Sequence, residues 1–371
     1  MRKIFPPANL GVLGSGQLGR MFTNSASRLG YNVVCYSPVK DSPTKLAGAI
    51  EIVGEYTDKK KLTEFLNSIS ALTFEFENIP EDTLHFLEEF LKFKDLKISP
   101  SPSSIRTAND RIREKTFFEK IGIPVTNYIP IIGYSPDLKE IETIKFPAIL
   151  KTNNFGYDGK GQTKFITKDE FIYSLDHNKN YNHILEEIVN FDCEISVIGC
   201  RFENKKTLLY PPSKNIHKNH ILDLTIHPSG ISGKAIDKAL NYTRNLLQEL
   251  DYVGVLGIEF FVKGNEILGN EFAPRPHNSG HFTLDGANFS QFDLQLFTLT
   301  GLIDDINLET VPTVMKNIVG GDFFKDKLNY NKYLHDPKFK IHIYQKKDIL
   351  PGRKLGHINY RGIYSDSLYS F

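Results

Sequence analysis

Cysteine is scarce in this 371-residue sequence: Cys35, Cys193 and Cys200 are the three, an odd number without CxxC or Cys/His ligand spacing. Neither a disulfide framework nor a zinc site is supported, and a reducing cytosol fits best. A charge excess is missing too, since 45 Lys plus Arg stand against 44 Asp plus Glu, a formal net charge of +1. A chain without a basic field is not built to hold nucleic acid or an anionic membrane, so the expected partner is small. No apolar run approaches a membrane span, and Met1-Arg2-Lys3 leads into Pro6-Pro7 rather than into a long apolar segment, so the expected location is cytoplasmic. The GxxxxGK[ST] loop is absent, which excludes the P-loop class. Repeats and low-complexity stretches are absent as well.

What is present starts with length: 371 residues exceed the size at which one core keeps growing, so two or three domains are expected. Leu10 to Leu13, a helical pattern from Gln17 to Leu29 and the strand-like Val33-Val34-Cys35-Tyr36 read as β-α-β. With a strand at Leu72 to Phe76 and a helix near Glu81 to Lys92, residues 1–100 form an N-terminal α/β domain with a parallel sheet. The Ser99-Pro100-Ser101-Pro102 cluster closes it, because proline stops helices and ladders while serine caps the next helix. That helix is expected from about Ser104 to Ile121. Short strands with Gly or Asn turns follow, giving an α+β middle domain over 101–300 and a small β domain over 301–371.

Gly14-Ser15-Gly16-Gln17-Leu18-Gly19 is a GxGxxG between a strand and a helix, which aims backbone N–H groups at an anion. The second strand ends Tyr36-Ser37-Pro38, without the acidic residue a dinucleotide ribose wants. Another phosphate-bearing ligand, or a glycine turn needed only for packing, is the better reading. Phe74-Glu75-Phe76-Glu77-Asn78 places two carboxylates at a strand's C-terminal end, on opposite faces, so at most one faces a cleft.

Pro147-Ala148-Ile149-Leu150-Lys151 ends an apolar strand on a lysine, and Gly156-Tyr157-Asp158-Gly159-Lys160-Gly161-Gln162 follows as a lid able to fold over phosphates. Glu186-Glu187-Ile188-Val189 and Glu194 resemble a hinge offering backbone groups to a purine and a carboxylate to ribose. The informative element is the hairpin that carries Glu259 and Glu271 inside apolar strands, where carboxylates are costly unless a cation or hydrogen bonds compensate them. A strict two-residue Gly264-Asn265 turn sets Glu259 opposite Asn270. A three-residue loop, or a bulge, sets it opposite Glu271 on one face, and the metal reading predicts that arrangement. Arg275, fixed between Pro274 and Pro276, is placed for an anion beside the metal, and Arg353, Lys354, His357 and Arg361 form a second basic cluster.

Taken together, these blocks resemble the ATP-grasp superfamily and, within it, the N(5)-carboxyaminoimidazole ribonucleotide synthase family. The likeness runs through GSGQLGRM at Gly14, FEFENIP at Phe74, Lys151 to Gln162, NEFAPRPHNSGH at Asn270 and RKLGH at Arg353. It implies an N-terminal Rossmann-like (pre-ATP-grasp) domain, a central ATP-grasp domain with ATP between two halves, and a C-terminal β domain. It implies nucleotide contacts from Arg111, Lys151, Gly156 to Gln162, Glu186 to Val189, Glu194 and His217, with Glu259 and Glu271 on magnesium and manganese as a substitute. Asn270 is a candidate for an oxygen that relatives take from an asparagine where Ala273 stands. Gly16, Gln17, Leu18, one FEFEN glutamate (Glu75 the candidate), Tyr157, Asp158, Asn278, Lys354 and Arg361 would surround the ribonucleotide and bicarbonate. The implied reaction is ATP-dependent carboxylation of aminoimidazole ribonucleotide through carboxyphosphate, which delivers its carboxyl group or released CO₂ to the exocyclic amine, in purine biosynthesis, by a homodimer. Tryptophan is common among relatives where Ile188 and Phe282 stand here. Lys151, Lys160 and Arg275 would neutralise charge; Tyr157, Asp158 and His281 are candidate bases by position alone. The rivals are a formate-dependent glycinamide ribonucleotide transformylase and, from another class, a dinucleotide-binding oxidoreductase, which leaves the Lys151 lid and the glutamate hairpin unexplained.

Overall fold

The computed structural model describes residues 3–133, 137–154, 161–176, 179–321 and 333–363. Short apolar runs in the first hundred residues fold as β1 (Asn9–Leu13), β2 (Asn32–Ser37), β3 (Ile50–Val53), β4 (Ala71–Phe74) and β5 (Lys97–Ile98). Between them lie α1 (Gln17–Arg28), α2 (Lys59–Asn67) and α3 (Glu81–Leu91). The strands pair in parallel in the order β3-β2-β1-β4-β5. The order reverses at β1, which opens a crevice at the C-terminal ends of β1 and β4. Gly14 follows β1 and Glu75 follows β4, so topology alone brings both to that crevice.

One helix over Ser104 to Ile121 is expected from the pattern; two are found, α4 (Pro102–Ala108) and α5 (Arg111–Lys120). Asp110 leaves the helical region and restarts the chain as an N-cap, its Oδ1 accepting from the Arg113 N–H at 2.9 Å. Next comes an antiparallel sheet, β6-β9-β7-β8 in order, of β6 (Tyr128–Gly133), β7 (Ala148–Thr152), β8 (Gln162–Phe165) and β9 (Tyr181–Glu187). Helices α6 (Leu138–Ile141) and α7 (Lys168–Tyr173) accompany it.

The third sheet starts with β10 (Cys193–Arg201), β11 (Thr207–Leu209), β12 (Ser213–Lys218), β13 (Ile221–His227), β14 (Gly254–Lys263) and β15 (Glu266–Ala273). It continues through β16 (Thr313–Val319), β17 (Phe339–Ile343) and β18 (Lys354–Arg361), in the order β15-β14-β10-β12-β13-β16-β18-β17 with β11 beside β10. The strands after Gly301 thus extend the middle domain's sheet, joined where β16 pairs with β13 from Leu224↔Lys316 to His227↔Thr313. Three helices interrupt the sequence: α8 (Gly233–Glu249), the single turn α9 (Thr283–Gly286) and α10 (Gln291–Thr300). Every residue of α10 is buried, as expected of a helix enclosed on all sides. It packs against α1, β10 and β14, and one hydrophobic cluster runs from Val12 and Phe22 through Phe292 and Leu296 to Met315 and Tyr344. The N-terminal and C-terminal strands therefore share a core, and the crevice opens between them.

Candidate active site

The hairpin decides how the two acidic residues meet. Its turn is the two-residue Gly264-Asn265, since Lys263 pairs with Glu266, and regular pairing continues to Phe260↔Gly269. There the register shifts, leaving Asn270 as the extra residue of a β-bulge, and Glu259 faces Glu271. The bulge, not a longer loop, puts both carboxylates on one face. Arg111 Nη1 stands 3.0 Å from Glu271 Oε2, while among the described residues Glu259 has His277 Nε2 at 3.7 Å and Asn270 Nδ2 at 3.5 Å. Burial holds the Glu259 carboxyl above the ordinary range, and the Glu271 charge adds to that rise. Burial alone would raise Glu271 as well, but the Arg111 charge outweighs it and brings Glu271 below the usual range.

Two facing carboxylates in such conflict would be relieved by a hard divalent cation. Among the described residues no group of three or more His, Cys, Asp or Glu could hold a metal. Two protein carboxylates completed by substrate phosphate oxygens and water is a donor set magnesium accepts, so these residues fit it.

A chain of paired charges flanks the hairpin. Lys151, next to last in β7, places Nζ 2.7 Å from Glu186 Oε2, and Lys115 on α5 places Nζ 3.5 Å from Glu186 Oε1. Burial would raise the Glu186 carboxyl, yet the two lysines bring it down to about 2. Lys115 also reaches the Asn270 carbonyl at 3.4 Å, which ties the bulge to the helix. Asn153 fixes that helix: its Oδ1 accepts from Ile112 N at 3.0 Å and its Nδ2 donates to Asp110 Oδ2 at 2.8 Å. Glu194 on β10 meets His217 Nδ1 on β12 at 2.6 Å. Burial opposes a charge on His217, but the Glu194 hydrogen bond and the Glu259 charge raise its pKa.

In the glycine loop the Glu75 carboxylate accepts from the N–H groups of Gly16 and of Leu18, the latter at 3.1 Å. A Cβ on Gly14 would lie 2.6 Å from the Glu75 Cβ, and one on Gly16 would strike the Glu75 carboxylate. The glycines are needed because a side chain of the protein itself fills the loop. Gly16, Gln17, Leu18 and Glu75 all line the cleft, but the Gly16 and Leu18 donors are committed to Glu75. The other FEFEN carboxylate, Glu77, also lines the cleft, against the expectation that at most one would, because β4 ends at Phe74 and strand alternation stops there; it forms a two-pronged pair with Arg275, at 2.6 Å to Nε and 3.0 Å to Nη2.

The cleft encloses about 910 Å³ and collects residues from all three segments. Besides the glycine loop it is lined by Arg111, Glu271, Arg275, Asn278, Lys346, Arg353 and Lys354. Both polar side-chain atoms of Asn278 are buried without a hydrogen-bond partner among the described residues.

Some expected residues fall elsewhere. Arg361 closes the far end of β18 and lines a separate recess with Val311 and Pro337. Seven strand steps of ~3.3 Å put its Cα roughly 23 Å from that of Lys354, so within one chain it stands apart from the cleft. The Glu187 carboxylate accepts from Asn127 Nδ2 and from Lys145 N, each at 2.9 Å, and its N–H donates to Asn127 O, so it clamps the hinge. The Ile188 N–H goes to Pro147 O at 3.3 Å. His281 is fully buried with Nδ1 on Gln291, which removes it as a base. Gly156, Tyr157, Asp158, Gly159 and Lys160 lie outside the described residues; Gly161 precedes β8 and Gln162 opens it, paired to Lys151.

Sequence reasoning missed Lys115 and Glu114, and gave Asn153 no role beyond its place at the head of the glycine-rich run. Lys115 was findable, because it stands one helical turn after Arg111 on the same face. Glu114 accepts from the Phe272 N–H at 2.6 Å, and burial, helped by the Glu271 charge, raises its carboxyl.

Three family models match the chain in order: a ribonucleotide synthetase preATP-grasp domain over residues 8–109, an ATP-grasp domain over 116–292, and a phosphoribosylaminoimidazole carboxylase C-terminal domain over 313–368. N5-carboxyaminoimidazole ribonucleotide synthase of Bacillus subtilis is 36% identical over 96% of this chain and 92% of its own length. A solved ADP complex of an N5-carboxyaminoimidazole ribonucleotide synthetase superposes with a TM-score of 0.91 at 33% identity, covering 100% of this chain and 96% of that one. The Aspergillus clavatus enzyme in complex with ADP and 5-aminoimidazole ribonucleotide gives 0.83 at 29% identity, over 96% and 94%. With likeness extending across all three segments and a glutamate hairpin in the place the fold requires, this chain belongs to the N5-carboxyaminoimidazole ribonucleotide synthases, ligases of the ATP-grasp superfamily.

Proposed function

We propose that this chain carboxylates 5-aminoimidazole ribonucleotide with bicarbonate at the expense of ATP. A bicarbonate oxygen attacks the γ-phosphorus, ADP leaves, and carboxyphosphate forms. The exocyclic amine then takes the carboxyl carbon, phosphate departs and one proton is released. The observation that carries this reading is the cleft itself, which joins the glutamate hairpin to Asn278 and to the cations Arg353 and Lys354 at one opening. Its volume, about 910 Å³, lies at the upper end of the range for small-molecule sites, in keeping with more than one substrate.

Glu259 and Glu271 would hold magnesium, with manganese as a substitute, and the ion would neutralise phosphate charge. Lys115 and Lys151, oriented by Glu186, supply further positive charge, and Glu77 holds Arg275 for an anion. Positioning and charge neutralisation are what phosphoryl transfer asks of a protein. The hinge around Glu186 and Val189 and the Glu194–His217 pair are assigned to the nucleotide. Tyr157, Asp158 and Lys160 complete the reading as parts of the lid. No helix among the described residues is long and apolar enough to cross a membrane, which agrees with a cytoplasmic place. The homodimer rests on the family resemblance, and light scattering checks it.

Phosphate release is the test. Bicarbonate plus aminoimidazole ribonucleotide should support turnover with ATP-magnesium, whereas formate plus glycinamide ribonucleotide should not; the opposite result overturns the assignment.

A further inference from the structure

Two fully buried histidines lie beside the cleft without touching it, His281 and His357, with ring centroids 5.0 Å apart. Each stands three residues after a cleft residue: Asn278 precedes His281 in the turn 278–282, and Lys354 precedes His357 in β18. Both histidines are anchored through Nδ1. Gln291 Nε2 meets His281 Nδ1 at 3.0 Å, and the Tyr344 hydroxyl meets His357 Nδ1 at 2.7 Å.

The Gln291 amide is oriented by the backbone of His277, whose N–H donates to Oε1 at 2.9 Å and whose carbonyl accepts from Nε2 at 2.8 Å. Nε2 is therefore the donor to His281, and the hydrogen-bond partners assign His281 the tautomer with its hydrogen on Nε2. One glutamine thus grips both ends of the turn that carries Asn278. The strand side holds the turn as well, because Asn359 Nδ2 on β18 donates to the His281 carbonyl at 3.0 Å and to Asp285 Oδ2 at 2.7 Å. His342, stacked on His357 at 4.4 Å, also meets Asp285 Oδ2, at 2.7 Å.

We infer that His281 and His357 are positioning residues for the ribonucleotide: their contact locks the 278–282 turn onto β18 and sets the span between Asn278 and Lys354. The inference rests on the function proposed above, because it assigns Asn278 and Lys354 to the ribonucleotide side of the cleft. The hairpin and the paired lysines lie on other strands and helices, so loosening the histidine contact shifts the ribonucleotide grip before the nucleotide grip.

The experiment compares His281→Phe, which keeps a ring but loses the Nδ1 acceptor, with His281→Asn, whose side-chain oxygen restores an acceptor near that position. His281→Phe should raise KM for aminoimidazole ribonucleotide about tenfold, leave KM for ATP within about twofold, and be substantially rescued by His281→Asn. The double variant His281→Phe/Lys354→Ala should be no worse in ribonucleotide KM than Lys354→Ala alone. Parallel rises in both KM values, an unchanged ribonucleotide KM, or multiplicative effects in the double variant overturn the inference. If His281→Phe does not fold, Tyr344→Phe decides: an increase of about threefold in ribonucleotide KM supports positioning, and no increase overturns it. Wild-type protein that releases no phosphate with bicarbonate and ribonucleotide sinks the function instead, which separates the two failures.

Discussion

The glycine loop and the glutamate hairpin both place carboxylates at the cleft, and they treat them in opposite ways. Glu75 meets the N–H groups of Gly16 and Leu18, so a local surplus of donors is used up inside the chain. Glu259 and Glu271 face each other, and among the described residues the close cation is Arg111, 3.0 Å from Glu271 alone, so a demand is left over. The unsettled charge at the hairpin is what a cation would answer, whereas the glycine loop lines the same cleft with its Gly16 and Leu18 donors already taken.

Four experiments break or sharpen that contrast. Glu271→Gln keeps shape and burial but removes the charge needed at the hairpin; ATP turnover should fall by about 10³-fold or more with circular dichroism unchanged, and near-normal turnover removes Glu271 from the site. Glu75→Gln should do the reverse. Losing a carboxylate that accepts two backbone N–H groups should lower stability by about 1–3 kcal/mol in thermal melts, with KM for ATP within about twofold.

His217→Asn tests the pair with Glu194 through pH. The folded-state pKa of His217 is raised, so its stabilisation is complete below the ordinary value of about 6.5 and fades as pH climbs through the raised one. The melting-temperature gap between wild type and variant should be widest near pH 6 and shrink toward pH 9; a constant gap contradicts a charged pair. Arg361→Ala should change least, with kcat/KM within about twofold, because roughly 23 Å separates it from Lys354. A large loss of activity would return Arg361 to the site and require a contribution from another copy of the chain.

Much of the site was legible in sequence because costly residues advertise themselves. Carboxylates inside apolar strands, a lysine ending a strand and an arginine between prolines each break a local rule, and Glu259, Glu271, Lys151 and Arg275 were found that way. Lys115 and Glu114 were missed because a charged residue in a helix breaks no rule until the helix is seen to be packed under the hairpin. The single long helix over Ser104 to Ile121 failed because Asp110 serves equally as a helix residue and as a cap; its own bond to the Arg113 N–H makes the cap, and Asn153, 43 residues on, holds it there.

The chain by itself determined the alternation that puts Glu259 and Glu271 in strands, the order of its three segments and the absence of a P-loop, since these follow from periodicity and residue type. Tertiary structure decided the rest. The bulge at Asn270, the filling of the glycine loop by Glu75, the bridge from Lys115 to Lys151 through Glu186 and the removal of Arg361 to the far end of β18 all depend on partners distant in sequence. Local spacing says which face a side chain takes along its own strand or helix. Packing between elements selects the partner and the register.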